Sequence, residues 1–157
     1  MKRSFFRKKA TKPLKRTRLA KKGKSPTALL KDEIQAWLRQ LVILRDKKCI
    51  LHGIRCNHEV GVNDEGVVWQ AEHLIERSNS STFADSRLVV LVCKNCHGWK
   101  HFKKSNHDQY DEWVKSKLSK ERVALWDRVR GDRTPHKVDL KLELLALKQE
   151  YQRLTKV

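Results

Sequence analysis

The sequence predicts a small α+β fold in which a short strand, a second apolar strand and a helix follow one another, tied by a structural zinc and flanked by N- and C-terminal helices. Three observations carry this. Four cysteines fall in two clusters, Cys49 with Cys56 and Cys93 with Cys96. An apolar run, Leu88-Val89-Val90-Leu91-Val92, leads directly into the second cluster. Helical spacing of apolar residues brackets both clusters. At 157 residues the chain supports one hydrophobic core plus tails.

Residues 1–28 hold 12 lysines and arginines and no acid, with few apolar side chains, and are expected to form a disordered basic arm. Ser25-Pro26 is a helix start, a cap residue followed by proline at the first helical position. Leu30, Ile34, Trp37 or Leu38, Leu41 and Leu44 or Arg45 then recur at helical spacing to about Lys47. Glycines 53, 61 and 66 punctuate an irregular segment, and Val67 to Gln70 is a short strand. The polar stretch Arg77 to Ser86 is a loop before the second strand, Leu88 to Val92, and a helix of about ten residues starts near Lys94. Tyr110, Trp113, Val114 and Leu118 mark one further helix. Ser119 caps the next, which carries Val123, Trp126 and Val129 and ends at Gly131. Thr134-Pro135 opens a last helix with Val138, Leu145 and Tyr151 among its apolar positions. The organisation expected is therefore an arm (1–28), a zinc-stapled domain (29–131) and a C-terminal helix (132–157) packing on or extending that domain.

Formal net charge is +18, from 36 basic against 18 acidic residues, with two-thirds of the excess in the arm. Such a chain seeks a polyanion, and nucleic acid is the expected partner. No run approaches the roughly 20 apolar residues that span a bilayer, so no membrane partner is expected. Nor does an apolar segment of the signal-peptide kind follow the basic start, although Arg-rich, acid-free leaders also occur in transit peptides. A cytoplasmic location is expected, where cysteines persist as thiolates or metal ligands and not as disulfides.

Cys93-Lys94-Asn95-Cys96 sits where a strand meets a helix, and its two-residue spacer lets one turn deliver two thiolates to a tetrahedral ion. A redox dithiol is the competing use, but it would not explain the upstream cluster. There, Cys49 with Cys56 employs all four cysteines and is preferred. Cys49 with His52 keeps the tighter spacing and places Gly53 directly after the turn, so His52 is the alternative ligand. Four protein ligands leave no open position, which makes the zinc structural.

Glu72-His73 follows the first strand, and Cys96 is followed at once by His97 and, one turn on, His101. Histidines four apart share a helix face. With one carboxylate they can hold a divalent ion and leave positions for water and phosphate. The order Glu72-His73, apolar strand, Cys93-x-x-Cys96-His97 and His101 resembles the HNH (ββα-metal) endonucleases, and the wider chain, roughly residues 29–156, is similar to the phage NinG/Rap recombination nucleases. Arg45-Asp46 before the first cysteine, Ala71-Glu72-His73, Tyr110 to Trp113 and the helix Leu144 to Leu154 carry that wider likeness.

The resemblance implies a metal-dependent phosphodiester hydrolase acting on DNA, with branched or junction DNA as the family's substrate, in a host-cell cytoplasm if phage-encoded. It implies His73 as the base that activates water, Glu72 and His97 as ligands of a catalytic Mg2+ or Mn2+, and His101 as a third ligand. The family's middle asparagine falls near Leu88, so Asp85 or Ser86 is the candidate replacement. Arg77, Lys100, Lys103 and Lys104, with arm residues including Lys8, Lys9, Lys15 and Arg16, are the candidate phosphate contacts. Cutting two opposed strands of a junction favours a homodimer. A zinc-stapled nucleic-acid-binding module that does not cut is the alternative, and a basic structural protein of a nucleoprotein particle explains only the arm.

Overall fold

The computed structural model describes residues 23–75, 82–132 and 137–156. Among them are five α-helices and one two-stranded antiparallel sheet. Most of the arm, including Lys8, Lys9, Lys15 and Arg16, lies outside the described residues, as do Arg77 and Thr134-Pro135.

Helix α1 spans Pro26–Asp46, with the Ser25 hydroxyl accepting from the Ala28 N–H as its N-cap. Residues 26–28, expected in the arm, are therefore its first turn. Its buried residues Ile34, Leu38, Leu41 and Val42 recur at helical spacing and pack the stripe onto the core. The helix stops at Lys47, which takes a left-handed conformation and returns its N–H to the Ile43 carbonyl.

Strand β1 is Trp69–His73 and strand β2 is Val89–Cys93, paired so that Glu72 faces Val90 and His73 faces Val89. Each starts later than the sequence predicts. In β1 the polar Gln70, Glu72 and His73 hide the strand, whose limits come from pairing with β2. In β2 the residues Ser86–Leu88 form a 3-10 turn capped by Asp85. All five residues of β2 are buried, which explains its unbroken apolar run.

Helix α2 (Lys94–Phe102) begins as β2 ends, followed by α3 (Lys104–Lys117), α4 (Lys120–Gly131) and α5 (Leu140–Thr155). Tyr110, Val114 and Trp126 carry α3 and α4 into the core, and Ser119 caps α4 as expected. Helix α5 corrects the sequence reading twice. It starts at Leu140, because the Asp139 carboxylate accepts from the Lys141 and Leu142 N–H groups, leaving Val138 outside. It buries Leu144 and Leu147 against α1, while Leu145 is exposed. The Trp37 and Tyr151 rings meet edge to face at 5.2 Å between α1 and α5.

A two-stranded sheet leaves one edge of β2 without a strand partner, and that edge is buried. In an antiparallel pair, alternate residues turn both backbone groups away from the partner. Here the Leu91 N–H donates to Asp46 Oδ2 at 3.0 Å, and the Leu91 carbonyl accepts from the Ile50 N–H at 2.8 Å. The Val89 carbonyl accepts from Arg45 at 2.8 Å and from Arg122 at 3.0 Å. Arg45 in turn grips Asp46 through Nε at 2.6 Å and Nη2 at 3.0 Å, and donates to the Ser86 carbonyl at 2.8 Å. The Arg45-Asp46 pair is thus a side-chain substitute for a third strand. Asp46→Ala should lower stability by about 1.5–3 kcal/mol, the range for hydrogen bonds to a charged group. Urea denaturation measures this, and an unchanged midpoint would show that the staple does not hold the strand.

Candidate metal centres

The four cysteines converge. One sulfur from each of Cys49, Cys56, Cys93 and Cys96 lies within 4.8 Å of the others. The first pair comes from the segment after α1. The Cys49 N–H donates to the His58 carbonyl at 3.2 Å, and the Gly53 N–H closes the turn on the Cys56 carbonyl at 2.9 Å. Gly53 has φ +77°, the left-handed conformation that glycine adopts without a Cβ penalty. Cys93 ends β2 and serves as the N-cap of α2 without a side-chain capping bond, and Cys96 lies in the first turn. Three of the cysteines are buried and Cys56 is half-buried. Soft sulfur donors in a closed, buried set fit zinc and no hard cation. His52, the alternative ligand, stands outside: its Nε2 is 3.3 Å from a Glu59 carboxylate oxygen.

The thiols are unequal. A hydrogen bond from Cys96, aided by backbone N–H groups and opposed by burial, pulls Cys49 down to about 5. Burial, followed by the neighbouring Cys49 charge, pushes Cys56 up to about 12. Cys96 is pushed up by its hydrogen bond to Cys49, by burial and by the Cys49 charge. Without a cation the cluster therefore holds a thiolate at Cys49 and keeps Cys56 and Cys96 protonated. A divalent ion reverses that balance.

The second cluster stands on β1 and α2. Ligand atoms of Glu72, His97 and His101 also lie within 4.8 Å of one another. His97 Nε2 is 3.1 Å from Glu72 Oε2, and His101 Nε2 is 3.9 Å from Oε1. Glu72 is buried, His97 is partly exposed, and the His101 side chain is 48% exposed, so the cluster opens to solvent on its histidine side. Burial pushes the His101 pKa down, and the nearby His97, Lys100 and His107 add to that against the upward pull of Glu72. The neutral ring, the form that binds metals, is favoured. Two imidazoles and one carboxylate fit a divalent ion while leaving coordination positions open.

Consecutive strand residues face opposite ways, and this separates Glu72 from His73. Glu72 meets α2. His73 is buried with its Nε2 3.1 Å from the Phe83 carbonyl and 3.2 Å from Gln35 of α1, its ring stacked on Phe83 at 5.8 Å. The Phe83 carbonyl accepts from Nε2 when that nitrogen carries the proton, and the Gln35 amide nitrogen donates to it when it does not, so the two contacts belong to different tautomers. Of the two candidates for the middle asparagine, Asp85 caps the 3-10 turn and binds Arg87, and the Ser86 hydroxyl donates to Glu150 at 2.9 Å. In these bonds neither contacts His73, whereas the Phe83 carbonyl and Gln35 both do.

Lys103 and Lys104 are exposed where α2 meets α3. Lys100 is not. The sequence places it at the surface for phosphate, whereas it is buried with its ammonium on Glu72 Oε1. Its i+3 spacing from His97 puts it on the same helix face, and that spacing is the one sign of its position in the sequence. His107 of α3 escapes sequence reasoning too; its ring packs edge-on against His101 at 5.4 Å.

The fold and sites define a small α+β protein with two metal-competent clusters that share helix α2. No family model matches the chain, no curated protein matches its sequence, and no solved structure matches it. Among the described residues no helix is long and apolar enough to cross a membrane.

Zinc loading should release at least two protons at neutral pH, from Cys56 and Cys96, while Cys49 is already ionised. The log of apparent zinc affinity should then rise by at least about 2 per pH unit between about pH 6 and 8. Competition titrations against a chelator measure that slope, and a pH-independent affinity would exclude the cysteine cluster as the ligand set.

Proposed function

We propose that the protein is a metal-dependent DNA endonuclease of the HNH type, a phage-type recombination nuclease that hydrolyses phosphodiesters in branched DNA. The observation that supports this best is the convergence of Glu72 from β1 with His97 and His101 from α2, one turn beyond a cysteine cluster able to fix that helix. A Mg2+ or Mn2+ ion bound there would neutralise the scissile phosphate and the departing oxygen; two imidazoles beside one carboxylate favour manganese of the two.

The chain's own groups supply the rest. Glu72, His97 and His101 would hold the ion beside an incoming phosphate oxygen. His73 is the proposed base, held between the Phe83 carbonyl and Gln35, and its ring takes the proton from the attacking water. Lys103, Lys104 and the basic arm contact flanking phosphates. A non-cutting nucleic-acid module is the second reading, favoured by the one fact that Glu72 already has a cationic partner in Lys100.

Plasmid and synthetic junctions incubated with and without Mg2+ or Mn2+ separate these readings. Cleavage should require the ion, and His73→Ala should slow single-turnover cutting about 10²–10⁴-fold with DNA binding intact. Binding without cutting under every ion condition would favour the second reading, and wild-type rates in the variant would remove His73 from the chemistry. Deleting residues 1–22, which spares α1, should weaken binding to all DNA sequences alike. It should also flatten the salt dependence, by roughly 0.9 in log–log slope for each phosphate the shortened chain no longer neutralises. Affinity titrations across salt concentrations check this; an unchanged slope would mean that the arm does not reach phosphate.

A further inference from the structure

We propose that Lys100 is a positioning residue that occupies one oxygen of Glu72, so that a divalent ion at the second cluster receives the other oxygen alone. The inference rests on the proposed ion site and is independent of whether the protein cuts DNA.

Two features set Lys100 apart from the chain's many surface cations. It is only 8% exposed, and its partner Glu72 is 5% exposed. A lysine is almost never buried to that extent unless paired. Its ammonium contacts Glu72 Oε1 and lies 4.6 Å over the centre of the Tyr110 ring, itself fully buried, so aromatic and carboxylate together fix its place. It also lies between two candidate ligands on one helix face, three residues after His97 and one before His101.

The two carboxylate oxygens of Glu72 are thereby assigned different tasks. Oε1 contacts the ammonium, with His101 Nε2 farther off at 3.9 Å, and Oε2 faces His97 Nε2 at 3.1 Å, close enough for both atoms to reach one ion. A carboxylate free to rotate can bind an ion through both oxygens and fill a position that water or a phosphate oxygen would otherwise take. Holding Oε1 keeps the carboxylate monodentate and the position open. The buried ammonium also sets a positive charge beside the ion, which lowers affinity for it while adding to the field on an incoming anion.

The test uses full-length protein with zinc in the cysteine cluster and Co2+ as the probe of the second, read by its visible absorption. Lys100→Met should give a weaker absorption band, as the coordination number rises, together with tighter Co2+ binding. Lys100→Gln, whose amide can still donate to Oε1, should restore the wild-type band. Thermal melting of each variant separates a folding defect from a change at the site. In a Glu72→Gln background, where only one oxygen can bind, Lys100→Met should no longer change the band. Identical spectra and affinities for wild type and Lys100→Met, with binding abolished by His97→Ala, would overturn the proposal for Lys100 while keeping the ion site. Co2+ binding that survives His97→Ala and His101→Ala unchanged would instead overturn the ion site, and the proposal with it.

Discussion

A buried edge strand is the constraint on which the rest of the structure depends. Strand β2 carries five buried residues but has a single strand neighbour, and hydrocarbon around its other edge would leave peptide groups unsatisfied at a cost of roughly 1–3 kcal/mol each. The chain meets this with elements far apart in sequence: Asp46 and Arg45 from the end of α1, Ile50 from the first cysteine segment, and Arg122 from α4. Each of those bonds also fixes where its own element sits. The Ile50 bond lays Cys49 beside Cys93, and the Arg45 and Asp46 bonds aim α1 along the hairpin.

The same strand positions both clusters. Cys93 is its last residue and the cap of α2, so the geometry of the cysteine cluster sets the start and direction of that helix. Cys96 and His97 are neighbours, and no adjustable segment separates the two sets of ligands. The second cluster inherits its precision from the first. Its one buried carboxylate would be costly without cations around it. Lys100 meets that need from the helix, with His97 Nε2 at 3.1 Å from the other oxygen and the solvent side left to His101.

Much of this is legible in the sequence because the relevant signals are local. Ser25-Pro26, Ser119 and the cysteine spacings specify geometry within a few residues, and they mark α1, α4 and the ligand sets. Tertiary effects are less legible. The limits of β1 depend on pairing across the sheet, and Ala71 to His73 fall beyond the strand that the sequence marks until its partner is known. Asp139 opens α5 through bonds that a single acid in a polar stretch does not announce. The burial of Lys100 follows only once Glu72 is known to point at α2, and the split between Glu72 and His73 follows only once the strand extends through both. The candidate site is readable as a set of ligands. The cation inside it is not, because a lysine in a basic chain carries no distinguishing pattern.

The central claim is that one short helix contributes ligands to two separate metal centres of different chemistry. Anomalous diffraction from crystals grown with zinc and manganese, collected at both absorption edges, tests it most directly. The account predicts a zinc peak enclosed by the sulfurs of Cys49, Cys56, Cys93 and Cys96, and a distinct manganese peak among Glu72, His97 and His101. A single peak shared by both edges, or manganese bound away from those three residues, would contradict it.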